Sequence, residues 1–92
     1  MRRTNRRTHR SDANQEAIVK ALRVAGMRVW VIGKPVDLLV SVRGRNELVE
    51  VKAANGDLTK EQKEFIAEWP NKVHVVHDID EAFRALIPEA MK

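Results

Sequence analysis

The spacing of apolar positions changes period along this chain, and the changes mark out its elements. Ile18, Ala21, Leu22 and Ala25 recur at i, i+3, i+4 and i+7, the stripe of a half-buried helix. Ser11, Asp12 and Asn14 are N-cap types before it and Gly26 is a stop after it, which predicts a helix over 13–25. Arg28 to Ile32 is β-branched and aromatic and predicts a short strand, broken by Gly33-Lys34-Pro35. Val36–Val42 and Glu47–Lys52 predict two further strands, joined as a hairpin through a turn of Arg43-Gly44-Arg45-Asn46. Thr59 with Gln62 three residues on has the form of a capping box and opens a second helix carrying Phe65, Ile66 and Trp69. Lys72–Val76 predicts a fourth strand. Asp78 or Asp80 then caps a last helix with Ala82, Phe83, Leu86 and Ile87 on its apolar side. The connection from the third strand through a helix to the fourth is long enough to make those two parallel. The expected fold is an α/β domain with a mixed sheet flanked by helices.

Composition adds limits. Ninety-two residues suit one domain, and 43% hydrophobic residues suffice for one core. No apolar run approaches the ~20 residues that cross a bilayer, so no membrane partner is expected. Cysteine is absent, which removes disulfides, thiolate nucleophiles and thiolate metal sites. No apolar segment follows the first arginines as in a secretory signal, and a cytoplasmic setting is expected, in a bacterial or phage-infected cell.

The net charge of +4 is concentrated at one end. Arg2, Arg3, Arg6, Arg7 and Arg10 stand in the first ten residues without an acid, while the rest holds 12 basic and 13 acidic residues. Residues 1–11 are therefore expected to form a flexible basic tail that contacts nucleic-acid phosphates, with a solubilising terminus as the alternative; residues 12–92 form the domain.

Strand alternation isolates the polar residues that stand out. Val36, Leu38, Val40 and Val42 share one face, and Asp37, Leu39 and Ser41 the other. Val49 and Val51 share one face, and Leu48, Glu50 and Lys52 the other. Both faces are expected to be at least partly covered. Pairing the two strands brings Asp37, at the start of one, toward Glu50, at the end of the other. Two carboxylates brought together repel unless a cation lies between them, and hard oxygen ligands suit Mg²⁺ or Mn²⁺. Lys52, about 6–7 Å along the same face, would place an ammonium beside developing phosphate charge. The competing reading is a charged rim on the solvent side of a hairpin.

With Asn14-Gln15-Glu16, Gly33 to Val40, Leu48-Val49-Glu50-Val51-Lys52 and Gly56 to Gln62 in order, the sequence resembles the PD-(D/E)XK nuclease superfamily. Its likeness is to the small VRR-NUC-type, Holliday-junction-resolvase-like phage members, over about residues 12–87. The resemblance implies an αβββαβ restriction-endonuclease-like core, here followed by a C-terminal helix. It implies a Mg²⁺- or Mn²⁺-dependent DNA endonuclease, selective for flaps or junctions, leaving 5′-phosphate and 3′-hydroxyl ends. Asp37 and Glu50 would bind metal, with the Val51 carbonyl as a backbone ligand. Lys52 would position or activate water, and Gln62 would complete the site. Glu16, or Gln15 in the neighbouring register, would match a helix-one site residue. Val36 separates Pro35 from Asp37, where the superfamily pattern usually has proline directly before the aspartate. A non-catalytic nucleic-acid-binding module on the same fold is the alternative, and a homodimer is the expected assembly.

Other residues fit simpler roles. His74 and His77 read as structural histidines on opposite faces. Trp30 and Trp69 sit in apolar patterns and are expected in the core rather than against bases. Arg43 and Arg45 at the hairpin tip are expected either to contact nucleic-acid backbone or to be a solvated turn.

Overall fold

The computed structural model describes residues 10–90. Helix α1 spans Arg10–Val24, followed by strands β1 (Arg28–Val31), β2 (Leu38–Val42) and β3 (Arg45–Val51). Helix α2 (Lys60–Glu68), strand β4 (Val73–Val76) and helix α3 (Ile79–Leu86) complete the domain, with a 3₁₀ turn at Pro88–Ala90. The strands form one mixed sheet in sequence order. β1–β2 and β2–β3 pair antiparallel, and β3–β4 pair parallel. No described helix is long and apolar enough to cross a membrane.

Helices α1 and α3 cover one face of the sheet. Ile18 and Leu22 from α1 and Ala82 and Leu86 from α3, all fully buried, meet Val29, Leu38, Val40, Val42, Val49, Val51 and Val76 in one core. The alternation seen in the sequence sends these valines and leucines inward because successive strand residues point to opposite faces. An Asn14 amide bond to the His77 carbonyl, 2.7 Å long, ties the start of α1 to the end of β4.

Several boundaries differ from the sequence expectation. Helix α1 begins at Arg10 rather than residue 13, so its backbone takes in Arg10 and Ser11. Asn14 lies inside the helix and bonds across to β4 instead of capping. Arg2, Arg3, Arg6 and Arg7 lie outside the described residues. The hairpin turn is tighter than expected: only Arg43 and Gly44 form it, with φ of 49° and 81°. Positive φ at both positions matches the twist of the flanking strands, so pairing continues to Val42–Arg45. Strand β2 starts at Leu38, not Val36, because the Asp37 carbonyl turns to accept from the Ile32 and Gly33 N–H groups, closing the 33–37 loop.

The opposite face of the sheet is only partly covered. Trp30 is 72% exposed and Trp69 41% exposed, so neither sits in the core as expected. Trp30 is opposite Leu39 across β1–β2, on the face away from α1 and α3. Helix α2 lies over part of this face, with Phe65 and Trp69 beside Leu39 and Leu48, and buries none of its own residues fully. The outer face of β1 and β2 stays open because no helix follows β1 or β2 to cover it.

Gly26 ends α1 in a Schellman arrangement, with the Met27 N–H reaching the Leu22 carbonyl and the Gly26 N–H the Arg23 carbonyl. Its φ is +95°, and an added Cβ would touch nothing. Gly26→Ala is thus expected to act through backbone strain alone, lowering stability by about 1–2 kcal/mol. A lower urea midpoint at unchanged slope would show it.

Candidate active site

The site lies where β2 and β3 part. Leu38 pairs with Val49, and one residue further on the two strands exchange side chain for main chain. The Val51 N–H donates to Asp37 Oδ2 at 2.9 Å. The Asp37 N–H donates to Glu50 Oε1 at 3.1 Å. Each carboxylate therefore receives a backbone donor from the opposite strand. Among the described residues no donor meets Asp37 Oδ1.

Glu50 is 2% exposed, an uncommon place for a carboxylate. Its second oxygen carries two further partners: Gln62 Nε2 at 2.8 Å and Lys52 Nζ at 3.2 Å. Burial first, and then the charge of Asp37, push the Glu50 carboxyl above its ordinary range; the hydrogen bond and charge of Lys52 oppose them.

Gln62 reaches Glu50 because α2 begins where it does. Thr59 caps the helix, its hydroxyl accepting from the Gln62 N–H at 3.1 Å. The Gln62 carbonyl oxygen in turn accepts from the Thr59 N–H at 3.0 Å, completing the box. With Oε1 engaged there, the amide has only its NH₂ to offer Glu50. The cap thus fixes which end of the amide faces the carboxylate.

Asp37, Glu50, Lys52, Gln62 and the Val51 backbone come together. The other sequence candidates do not join them. Glu16 is exposed and, with Gln15, lines a depression between α1 and β1 beside Val19, Arg23 and Val31. Among the described residues no three His, Asp or Glu side chains gather to hold a metal. Two carboxylates with water are nevertheless a donor set that Mg²⁺ accepts, and one is held in a buried, repulsive position that a cation would relieve. Arg43 and Arg45 stay exposed but pair with the chain's own groups. Arg43 pairs with Glu89 at 2.8 Å, and Arg45 with Glu47 at 3.0 Å and with the Leu86 carbonyl at 2.6 Å.

The two histidines each take a glutamate. His74 Nε2 lies 2.9 Å from Glu47, and His77 Nδ1 2.9 Å from Glu81. Burial works to raise the Glu47 carboxyl, but His74 and Arg45 outweigh it and hold it below the usual range. The sequence reading missed the Glu47 pairings, although Glu47 shares its face with Val49 and so points toward the helix-covered side, where a carboxylate needs partners.

Compared with known proteins, the chain matches no family model, no curated protein and no solved structure.

Folded Glu50 keeps its proton to higher pH than it does in the unfolded chain, so ionising it weakens the fold as pH rises above about 4.5 and has no such cost below. Glu50→Gln is expected to remove that decline, its stability relative to the parent growing from acid to neutral pH. Urea midpoints of both proteins across that range measure it; a parallel pH course would contradict the assignment.

Proposed function

We propose that this chain is a metal-dependent endonuclease that hydrolyses DNA phosphodiester bonds, with flaps or junctions as preferred substrates. The observation that carries the reading is the convergence of Asp37, just before β2, with Glu50 on β3, and Lys52 3.2 Å from Glu50. The order of helices and strands and the parallel β3–β4 pair support the restriction-endonuclease-like arrangement implied by the sequence resemblance.

In this reading Asp37, Glu50 and the Val51 carbonyl hold Mg²⁺ or Mn²⁺. Bound there, the ion would supply Lewis-acid polarisation of the scissile phosphate and a more acidic water. Lys52 supplies an ammonium beside the developing negative charge. Gln62 keeps the Glu50 carboxylate turned toward Asp37. Glu16 or Gln15 would need the phosphate or the metal to reach across from α1. The basic residues Arg2, Arg3, Arg6, Arg7 and Arg10 would meet the DNA backbone, with Arg43 and Arg45 contributing only after leaving Glu89 and Glu47. A second copy of the chain would extend the DNA surface.

A non-catalytic DNA-binding module is the second reading. It is favoured by the fact that Glu50 already has Gln62, Lys52 and the Asp37 N–H as partners without any cation. Labelled duplex, flap, four-way and single-stranded DNA, incubated with Mg²⁺, Mn²⁺ or chelator, separate the two. Cleavage that needs the metal and falls about a hundredfold or more in Asp37→Asn and in Lys52→Met is expected. Variants that cut as well as the parent would end the nuclease reading; metal-independent binding without cleavage would establish the module.

Replacing Arg2, Arg3, Arg6 and Arg7 by Gln is expected to flatten the dependence of duplex affinity on salt. Each arginine that meets a phosphate contributes about 0.9 to the log–log slope. Titrations at several salt concentrations read it directly.

A further inference from the structure

The open side of the sheet carries chemistry that the carboxylate cluster does not use. Two depressions lie there side by side, sharing Leu39 and Asn46. Trp30 and Arg28 border one; Trp69 and Lys72 border the other. No Asp or Glu lines either depression, although charged residues make up 33% of the chain and acids slightly outnumber bases beyond residue 10. Aromatic rings, a guanidinium and an ammonium without a carboxylate form the lining of a surface for single-stranded nucleic acid: the rings stack on bases and the cations meet phosphates.

The cross-strand register ties this face to the carboxylates. Trp30 is opposite Leu39, and Leu39 is opposite Leu48. At ~4.8 Å between strands, Trp30 stands roughly 10 Å from Leu48 across the sheet. Glu50 lies two residues further along β3, on the same side, roughly 7 Å away. A strand lying over Trp30 therefore reaches the carboxylates within a few nucleotides.

We infer that Trp30 and Trp69, with Arg28 and Lys72, form a stacking platform that binds an unpaired DNA segment and leads it to Asp37 and Glu50. This rests on the nuclease reading for its purpose and names the substrate class: DNA with a single-stranded stretch beside the cut. A dry dimer interface is the competing occupant, and the polar lining disfavours it. Asn46, Asn71 and Ser41 interrupt the apolar surface with groups suited to base edges, and they would stay unpaired against a flat apolar partner.

The chain's only two tryptophans both stand on this face, so its tryptophan fluorescence reports on the platform alone. The full chain is titrated in chelator with an oligothymidylate and with a duplex of equal length. Quenching by the single strand, and much less by the duplex, is expected. Trp30→Ala should weaken single-strand binding about 5- to 100-fold, and Trp30→Phe should largely restore it. Trp30 is largely exposed, so both variants are expected to fold, and thermal melting checks this. Arg28→Gln should lower the salt slope by about 0.7. Binding is read in chelator and cleavage in Mg²⁺, so loss of stacking and loss of cleavage register separately. Unchanged single-strand affinity in Trp30→Ala overturns the platform. So does a parent dimer in sedimentation that Trp30→Ala dissolves without altering DNA affinity, which would give the face to a second copy.

Discussion

A buried carboxylate can persist only if something answers its charge, and Glu50 is the buried carboxylate on which this structure turns. Its answer is unusual in form. The hairpin ends by trading side chains for backbone, with Asp37 taking the Val51 N–H and Glu50 taking the Asp37 N–H. The last rungs of the β2–β3 ladder are thus built from acids. The same bonds that close the strands also hold two like charges near each other. The shape of the strand ends and the pairing of like charges share one set of atoms, so a substitution at either acid disturbs both.

Helix α2 is marginal by its packing, with no fully buried residue, yet it contributes Gln62 to the most buried polar group. Its position rests on the capping box and on Phe65 with Trp69, whose ring centres are 5.1 Å apart. Local capping therefore does the work of precision that a deep core does for α1 and α3.

Much of this arrangement is legible in the sequence, because it depends on short-range rules. Alternation assigned Leu38, Val40, Val49 and Val51 to one face, and Thr59 with Gln62 announced the helix start. The convergence of Asp37 with Glu50 follows from hairpin pairing, which needs only the turn and the strand parity. The remainder depends on contacts distant in sequence or on what fails to cover a surface. Trp30 looks like a core residue because β-branched neighbours surround it, but whether a helix lies over β1 is a question of topology. Glu89 beside Arg43 and His77 beside Asn14 are separated by 46 and 63 residues, beyond any local pattern. The tight Arg43-Gly44 turn was hidden because arginine seldom takes positive φ.

The bond from Asn14 to the His77 carbonyl has a geometric corollary. Val51 pairs with Val76, and the Lys52 N–H meets the Val76 carbonyl, so the C-terminal ends of β3 and β4 lie at one border of the sheet. Helix α1 starts at that same border. The first turns of α1 and the paired acids therefore stand at one border of the sheet rather than at opposite rims.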